Sequence, residues 1–144
     1  MKTLEKVNHL ATVQTIYEAF GKGDIPTILA QLADDIRWED WADNSTQSIG
    51  LFYMIPRQGR EGVMEFFQSL TRLEIRKFNV LSLMAGPNQV AAEVEIELYF
   101  PDTNSTVTDE EIHLWNFNDA GKATRFRHYL DTHKHVERAK KASA

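Results

Sequence analysis

The sequence has 144 residues, a length typical of one domain that buries its own hydrophobic core. With 16 basic and 21 acidic residues it carries a net charge of -5, which argues against nucleic-acid binding because phosphate backbones require clustered cations. The chain contains no cysteine, so disulfide bonds and thiolate zinc sites are excluded.

The first residues, MKTLEKVNHLATV, mix charges into an apolar pattern, which the apolar region of a secretion signal would not contain. No apolar run approaches the roughly 18–20 residues that cross a bilayer. We therefore expect a single cytoplasmic domain over residues 1–144, with no membrane partner.

Two helices are predicted near the N-terminus. Between Thr3 and Phe20, apolar residues recur every three or four positions, which is typical of an amphipathic helix. Gly21 and Gly23 end this pattern. Asp24 is a suitable N-cap for a second, short helix, whose first turn tolerates the proline that follows.

A short strand and a long loop come next. Residues 36–40 (IRWED) are predicted to form a strand on which Trp38 and Asp40 point to the same face, since side chains alternate along a strand. Residues 41–59 follow no period but contain large apolar side chains, Phe52 and Met54 among them. A loop of this length and content often folds over a ligand, so we interpret it as a lid.

Helical periodicity returns over residues 60–70, and the apolar stripe there is suited to packing on a sheet. Strands are predicted over residues 75–83 and 90–100. The second strand places apolar residues on one face and Glu93, Glu95 and Glu97 on the other. Because helices come first and the sheet has one apolar face, the pattern predicts an α+β fold with segregated layers.

The segment from Thr108 to Asp131 is predicted to form a long antiparallel hairpin, because two alternating stretches flank a turn at residues 118–121. Alternation places His113 and His128 on the same face of this hairpin. Large aromatic residues, Trp115 and Phe126, share that face. After the hairpin, a short solvated C-terminal tail is expected from about residue 133.

The ordered segments GKGD, LADD, WED, REGVMEFF and FNDAGKATRFRHYLD resemble those of the SnoaL-like, ketosteroid-isomerase-like branch of the NTF2-like superfamily. The resemblance covers essentially the whole chain. It implies an NTF2-like, cystatin-like cone, in which a curved and mostly antiparallel sheet wraps around N-terminal helices. It also implies a small-molecule pocket at the open end of the cone.

Position by position, the resemblance places the isomerase's general-base aspartate on Asp40 and its aspartate hydrogen-bond donor on His113. The tyrosine donor of its first helix falls on Ile16. Tyr17 is adjacent, but a step of one residue turns a helical side chain by about 100°. We therefore expect that donor to be lost here.

Asp40 and His113 are the candidate catalytic pair, because burial and mutual charge would shift both pKa values within an apolar cleft. The alternative is a satisfied buried hydrogen bond without turnover. His128 is expected to contact the ligand or to be a structural histidine. The full set of expected substrate-binding residues is Trp38, Trp115, His128, Phe126, Ile16, Phe20, Val94, Ile96, Leu98, Phe52 and Met54.

The histidines His128, His133 and His135 lie close in sequence, but their spacing matches no metal-binding signature. We therefore expect neither a metal nor a cofactor.

The resemblance implies a cofactor-independent enzyme of the isomerase, cyclase, dehydratase or hydrolase class, acting on a small apolar carbonyl, hydroxyl or epoxide compound. One alternative is a non-catalytic ligand-binding or sensing domain. Another is a protein-interaction module whose cone is filled by its own side chains.

The outer sheet face is expected to form a homodimer. Glu93, Glu95 and Glu97 lie on one strand, Arg125 and Arg127 lie on another, and Ile112 and Leu114 lie between them. A two-fold axis through the middle strand would set each acidic row against the partner's basic row. The alternative is a solvated charged face.

Overall fold

The computed structural model describes residues 8–41 and 43–143. Its helices are α1 (His9–Gly21), α2 (Ile25–Ala30), α3 (Ser45–Ser48), α4 (Gly59–Ser69) and α5 (Thr132–Ser143). Its strands are β1 (Leu32–Trp38), β2 (Arg57–Gln58), β3 (Glu74–Gly86), β4 (Gln89–Phe100), β5 (Ser105–Phe117) and β6 (Ala123–Tyr129). Within the described part of the chain, no helix combines the length and the apolar character needed to cross a membrane.

The first two helices begin at side-chain caps. Asn8 accepts a hydrogen bond from the backbone N–H of Ala11, and Asp24 accepts one from the backbone N–H of Thr27, as the sequence predicts for α2. The part of the first predicted helix that runs from Thr3 to residue 7 lies outside the described residues.

All six strands form one curved, open sheet in the order β2-β1-β6-β5-β4-β3. Strands β3 to β6 are an antiparallel meander, and β1 joins β6 in parallel. The β4–β5 register is unbroken from Gln89 opposite Asn116 to Phe100 opposite Ser105. The predicted α+β fold, with a mostly antiparallel sheet and N-terminal helices, is confirmed.

The predicted hairpin is formed by β5 and β6. Its turn is held by Asn118, whose side-chain oxygen accepts hydrogen bonds from the backbone N–H groups of Ala120 and Lys122, each at 3.0 Å. This turn fixes a register in which His113 lies directly opposite His128. The two histidines are therefore cross-strand neighbours on one face.

Helices α1, α2 and α4 bury the inner sheet face, as the alternation of β4 requires. The main hydrophobic core consists of Val13, Ile16, Ala19, Ile28, Leu32, Ile36, Trp38, Val63, Val90, Trp115, Phe117, Ala123 and Phe126. A second apolar cluster lies towards the other end of the sheet and comprises Leu51, Tyr53, Met54, Leu73, Ile96, Leu98, Phe100 and Val107.

The segment predicted as a lid, residues 41–59, is packed structure in the described residues. It contains α3 and β2, and Leu51, Tyr53 and Met54 are buried in the second apolar cluster. The apolar residues that suggested a lid therefore serve as core contacts.

The C-terminal tail expected from about residue 133 is instead helix α5. His135 is fully buried and Val136 nearly so, because this face of the helix packs against the second cluster and β5. Of the basic residues that suggested a solvated end, Lys140 is exposed and pairs with Glu137, whereas the guanidinium of Arg138 packs over the Phe100 ring. Amphipathic helices place their charges in this way.

The core position of β1 can be tested by truncation. Ile36 is fully buried, so Ile36→Ala should lower the free energy of unfolding by about 2–5 kcal/mol, through lost burial and the cavity left behind. The matched variant is Ile49→Ala, whose side chain is 48% exposed and should change stability by less than about 0.5 kcal/mol. Urea unfolding followed by circular dichroism measures both. Equal effects would contradict the assigned core.

Candidate active site

A small cavity of about 90 Å³ lies between the inner sheet face and helices α1, α2 and α4. Its walls are largely apolar and aromatic, but five ionisable side chains reach it. The lining residues are Ile16, Tyr17, Phe20, Ile28, Trp38, Tyr53, Phe66, Phe67, Leu70, Leu73, Ile75, Phe78, Ile96, Leu98, Glu111, His113, Trp115, Phe126 and His128.

One hydrogen-bond chain in the cavity joins α1 to β5. The hydroxyl of Tyr17 lies 2.7 Å from Nδ1 of His113, and Nε2 of His113 lies 3.2 Å from Oε1 of Glu111. Trp115 donates its indole N–H to the Tyr17 hydroxyl at 3.1 Å. The imidazole is thus held on both nitrogens, as in sites where a carboxylate orients a histidine base.

Burial sets the protonation of this chain. Desolvation lowers the pKa of His113, and this outweighs the opposing effect of Glu111. Burial alone would raise the pKa of Glu111, but the surrounding imidazoles lower it. At neutral pH, therefore, Glu111 is an ionised acceptor, and neutral His113 donates from Nε2 and accepts the Tyr17 O–H at Nδ1. Burial also raises the pKa of Tyr17, which keeps its hydroxyl protonated.

The second histidine of the cavity, His128, is in the opposite protonation state. Nδ1 of His128 makes a short contact with Oε2 of Glu39, and the backbone N–H of His128 donates to Oε1 at 3.2 Å. Burial would lower the pKa of His128, but the charges of Glu39 and Glu111 raise it to about 9. His128 is therefore an imidazolium at neutral pH. Nε2 of this ring has no hydrogen-bond partner among the described residues.

Glu39 reaches the site because the backbone changes direction after β1. Its φ is 60°, so it does not continue the alternation of the strand, and both Trp38 and Glu39 are buried. The indole N–H of Trp41 donates to Oε1 of Glu39 at 3.2 Å, and the side-chain amide of Gln47 donates to its backbone oxygen at 2.6 Å.

Asp40, predicted to be the general base on the inner face, lies outside the cavity. Its side chain is 47% exposed and pairs with Nη1 of Arg37 at 2.9 Å. Strict alternation would place Asp40 beside Trp38, but the positive φ of Glu39 turns the chain by one residue. The structure brings Glu39, and not Asp40, together with His113 and His128.

The prediction that no tyrosine of the first helix reaches the site is also wrong. Ile16 lines the cavity, as expected from the resemblance, but so does Tyr17. The two side chains differ by about 100° around the helix. The side chains of Ile16 and Tyr17 nevertheless both line the cavity, and the long Tyr17 side chain brings its hydroxyl to His113.

Most of the other predicted contacts line the cavity, namely Trp38, Trp115, His128, Phe126, Phe20, Ile96 and Leu98. Val94 is buried but is not part of the lining. Phe52 and Met54 are also elsewhere: Phe52 packs beneath the guanidinium of Arg72, and Met54 belongs to the second apolar cluster. Tyr53, between them, reaches the cavity.

Tyr53 begins a second hydrogen-bond chain. Its hydroxyl lies 2.8 Å from Nδ1 of His135, and Nε2 of His135 lies 2.8 Å from Oδ2 of Asp109. Burial raises the pKa of Tyr53 to about 12. The sequence pattern did not identify this chain, because His135 was assigned to a tail.

One group of residues has the chemistry of a metal site. Asp109, Glu111 and His135 are buried, and each offers one donor atom within 4.8 Å of the others. Carboxylate oxygen with imidazole nitrogen is a donor set that several divalent metals accept. In this structure the donors are engaged in hydrogen bonds, and the Lys134 ammonium lies 3.8 Å from Asp109.

Residues 13–126 match the family model of the SnoaL-like domain. That range includes Tyr17, Glu39, Glu111, His113 and Phe126, and ends before His128. No curated protein matches the chain.

Several solved structures share the fold. An NTF2-like protein of unknown function from Burkholderia pseudomallei is 23% identical with a TM-score of 0.76, over 90% of this chain and 95% of that chain. TerC, co-crystallised with polyporic acid, is 24% identical with a TM-score of 0.74, over 92% and 98%. A protein from Xanthomonas campestris, provisionally described as a polyketide cyclase, is 22% identical with a TM-score of 0.67, over 90% and 95%. At these identities the likeness establishes the fold alone.

The opposite states of the two histidines give a testable titration. His128 should titrate near pH 9. The lowered pKa of His113 should keep that ring neutral until the pH falls below the usual histidine pKa. Glu39→Gln should lower the pKa of His128 by removing the paired carboxylate, and Asp40→Asn should leave it unchanged. Histidine-edited NMR titration measures both.

The same shift predicts a pH dependence of stability. The pKa of His128 is higher in the folded state than in the unfolded state. Its contribution to the free energy of unfolding is therefore complete below about pH 6.5, the pKa of the unfolded state, and is lost as pH rises through about 9. The free energy of unfolding should therefore fall over that range in the native chain and less steeply in Glu39→Gln. Matching slopes in the two proteins would contradict the assignment.

Proposed function

The chain belongs to the SnoaL-like domain family, and from its cavity we propose that it is a cofactor-independent acid/base enzyme acting on a small apolar carbonyl, hydroxyl or epoxide compound. The observation that supports this most is the pair of facing histidines, His113 and His128, whose surroundings drive their pKa values in opposite directions. Paired groups with separated pKa values are typical of acid and base partners in catalysis.

In this proposal His113 is the general base. Its neutral ring accepts a proton at Nδ1 once the Tyr17 hydroxyl turns towards the substrate or passes the proton on. Glu111, bonded to Nε2, orients the ring and stabilises the imidazolium that forms.

His128 is the electrophilic partner. Glu39 occupies Nδ1, so Nε2–H is the group that remains to donate to a substrate oxygen. When His113 removes a proton from carbon, the electrons of the broken C–H bond move to the carbonyl oxygen, where the imidazolium stabilises the new charge. Return of the proton to a different carbon gives isomerisation, and attack of the enolate on a second carbonyl gives cyclisation.

The apolar walls support chemistry on an uncharged molecule. Phe20, Phe67 and Phe78 exclude water, which strengthens the interaction of a developing oxyanion with His128. The indole N–H of Trp38, a lining residue, is buried and has no acceptor among the described residues. A ligand that carries an oxygen atom would suit such a donor.

The compared structures favour an organic small molecule as the ligand. One of them was co-crystallised with polyporic acid, and another is provisionally described as a polyketide cyclase.

A second candidate function is ligand binding without turnover, because Tyr17, His113 and Glu111 already satisfy one another's hydrogen bonds in a cavity of about 90 Å³.

Substitution of the base should separate these candidates. With carbonyl and epoxide substrates screened against the native protein, His113→Gln should lower turnover by at least roughly a hundredfold while keeping a hydrogen-bonding side chain. Asp40→Asn is the matched variant, since that carboxylate lies outside the cavity. Mass spectrometry of a co-purified ligand would select the substrates. Retained turnover in His113→Gln would reject the proposed base, and ligand binding without turnover in the native protein would favour the binding function.

We also propose a homodimer through the outer sheet face. Ile112 is 38% exposed on β5, and it lies opposite Glu93 on β4 and Tyr129 on β6. The acidic and basic rows of β4 and β6 flank this apolar centre, which suits isologous pairing. The interaction-module alternative would use the same face for a different partner.

Sedimentation equilibrium tests the dimer. The native protein should be dimeric at micromolar concentration and should dissociate more readily at high salt, because screening weakens the charged rows. Ile112→Lys should give a monomer. Ile49→Lys, which changes an exposed residue elsewhere, should not. A monomeric native protein would contradict the proposal.

A further inference from the structure

A second pocket, of about 220 Å³, lies beyond Tyr53 from the cavity. It is formed by the segment after α3, the turn between β4 and β5, and helix α5. Its lining residues are Gly50, Leu51, Phe52, Tyr53, Arg72, Phe100, Asp102, Thr103, Arg138 and Ala139. We call it the arginine pocket, because two guanidinium groups are its principal charges.

Both guanidinium groups are held on aromatic rings. The guanidinium carbon of Arg72 lies 4.1 Å from the centre of the Phe52 ring, and that of Arg138 lies 3.6 Å from the centre of the Phe100 ring. Stacking of this kind fixes the plane of a guanidinium and leaves its edge N–H groups available for hydrogen bonding.

Neither arginine has an acidic partner in the part of the chain that the structure describes. Among the described residues, no carboxylate oxygen lies within 4.0 Å of Arg72 or Arg138, whereas Arg37, Arg60 and Arg76 each have one within 3.1 Å. Such unpaired arginines are suited to an anionic ligand.

The neighbouring polar groups leave that charge largely uncompensated. Arg138 donates to the hydroxyl of Ser105 at 3.2 Å and interacts with the hydroxyl of Tyr53. The carboxylate of Asp102 also lines the pocket, but it lies beyond ion-pair distance of both guanidinium groups. The pocket therefore has two cations against one exposed anion.

We propose that the arginine pocket binds an organic carboxylate, with the acid group held by Arg72 and Arg138 and an apolar body lying against Leu51, Phe52 and Phe100. A planar carboxylate matches the paired N–H edges of a guanidinium. The stacked rings supply the apolar surface that a simple inorganic anion would not use. This site is separate from the proposed catalytic one and does not depend on it.

The test uses 3-phenylpropionate as the probe and the neutral 3-phenylpropanamide as its isosteric control. Titration of the full chain, followed by backbone amide NMR, should show saturable binding of the acid, with shifts at Phe52 and Thr103. The amide should bind at least about tenfold more weakly, because it lacks the charge that the arginines recognise. Rising salt should weaken the acid more than the amide.

Arg72→Gln and Arg138→Gln should each weaken binding of the acid by about tenfold or more. The matched control is Arg76→Gln, which removes a guanidinium stacked at 4.0 Å on Tyr99 but outside the pocket. Circular dichroism and thermal unfolding establish that each variant is folded. Binding is read without turnover, so this test is independent of the catalytic proposal.

The inference would be overturned if the acid and the amide bound equally, if Arg72→Gln and Arg138→Gln both bound the acid as the native chain does, or if the shifts were confined to the catalytic cavity around His113 and Trp115. If only one arginine variant loses affinity, the carboxylate site stands and that arginine is its main ligand. If inorganic phosphate binds as tightly as the acid, the apolar body is not recognised and the proposed ligand class is rejected.

Discussion

The buried ion pair between Glu39 and His128 links strands β1 and β2 to the four-stranded meander β3–β6. Glu39 follows β1 and His128 lies on β6, so the pair bridges the parallel junction between these strands. Charges removed from water are tolerated only when they are paired and hydrogen-bonded, and Glu39 receives additional N–H groups from His128 and Trp41. This bonding also holds Glu39 at a positive φ, a conformation that a residue with a side chain seldom adopts.

The difference between the two histidines follows from this pairing. His113 and His128 are cross-strand neighbours with ring centres 5.6 Å apart, and both are buried. What separates them is the number of anions each one meets. Burial lowers the pKa of both rings, and Glu39 and Glu111 raise the pKa of both. At His128 the anions, with Asp109 in addition, outweigh burial, whereas at His113 burial outweighs the anions. Protonation of His128 further disfavours a second positive charge on His113. Their titrations are therefore coupled, and each stabilises the opposite state of the other.

Much of the architecture could be predicted from the sequence, because periodicity specifies it. The alternation in β4, β5 and β6 identified the inward residues, including His113, Trp115, Phe126 and His128. The sequence could not show which of the adjacent acidic residues, Glu39 or Asp40, points into the site. The backbone angle φ of Glu39 determines this, and a sequence pattern does not specify it. Helix α5 was missed because its buried face is short, and the basic residues around that face suggested a solvated tail.

The hydrogen bonds of Tyr17 and His135 were missed for a further reason. Their roles depend on tertiary distances between residues far apart in the chain: 96 positions separate Tyr17 from His113, and 26 separate His135 from Asp109. A one-dimensional pattern can place a tyrosine on a helix, but it cannot show that its hydroxyl reaches a strand on the other side of a cavity.

Strand β5 contributes to both hydrogen-bond chains, Tyr17–His113–Glu111 and Tyr53–His135–Asp109. Asp109, Glu111 and His113 alternate along β5, so one strand supplies the carboxylates that bond His135 and His113, as well as the proposed base. The two tyrosines come from elsewhere, Tyr17 from α1 and Tyr53 from the segment after α3. A central strand paired on both sides is a rigid support. The acid/base groups are therefore fixed by the sheet, while cavity shape depends on separately packed elements. Tyr53 lines both pockets, so a ligand that moved it would alter the cavity without displacing the histidines.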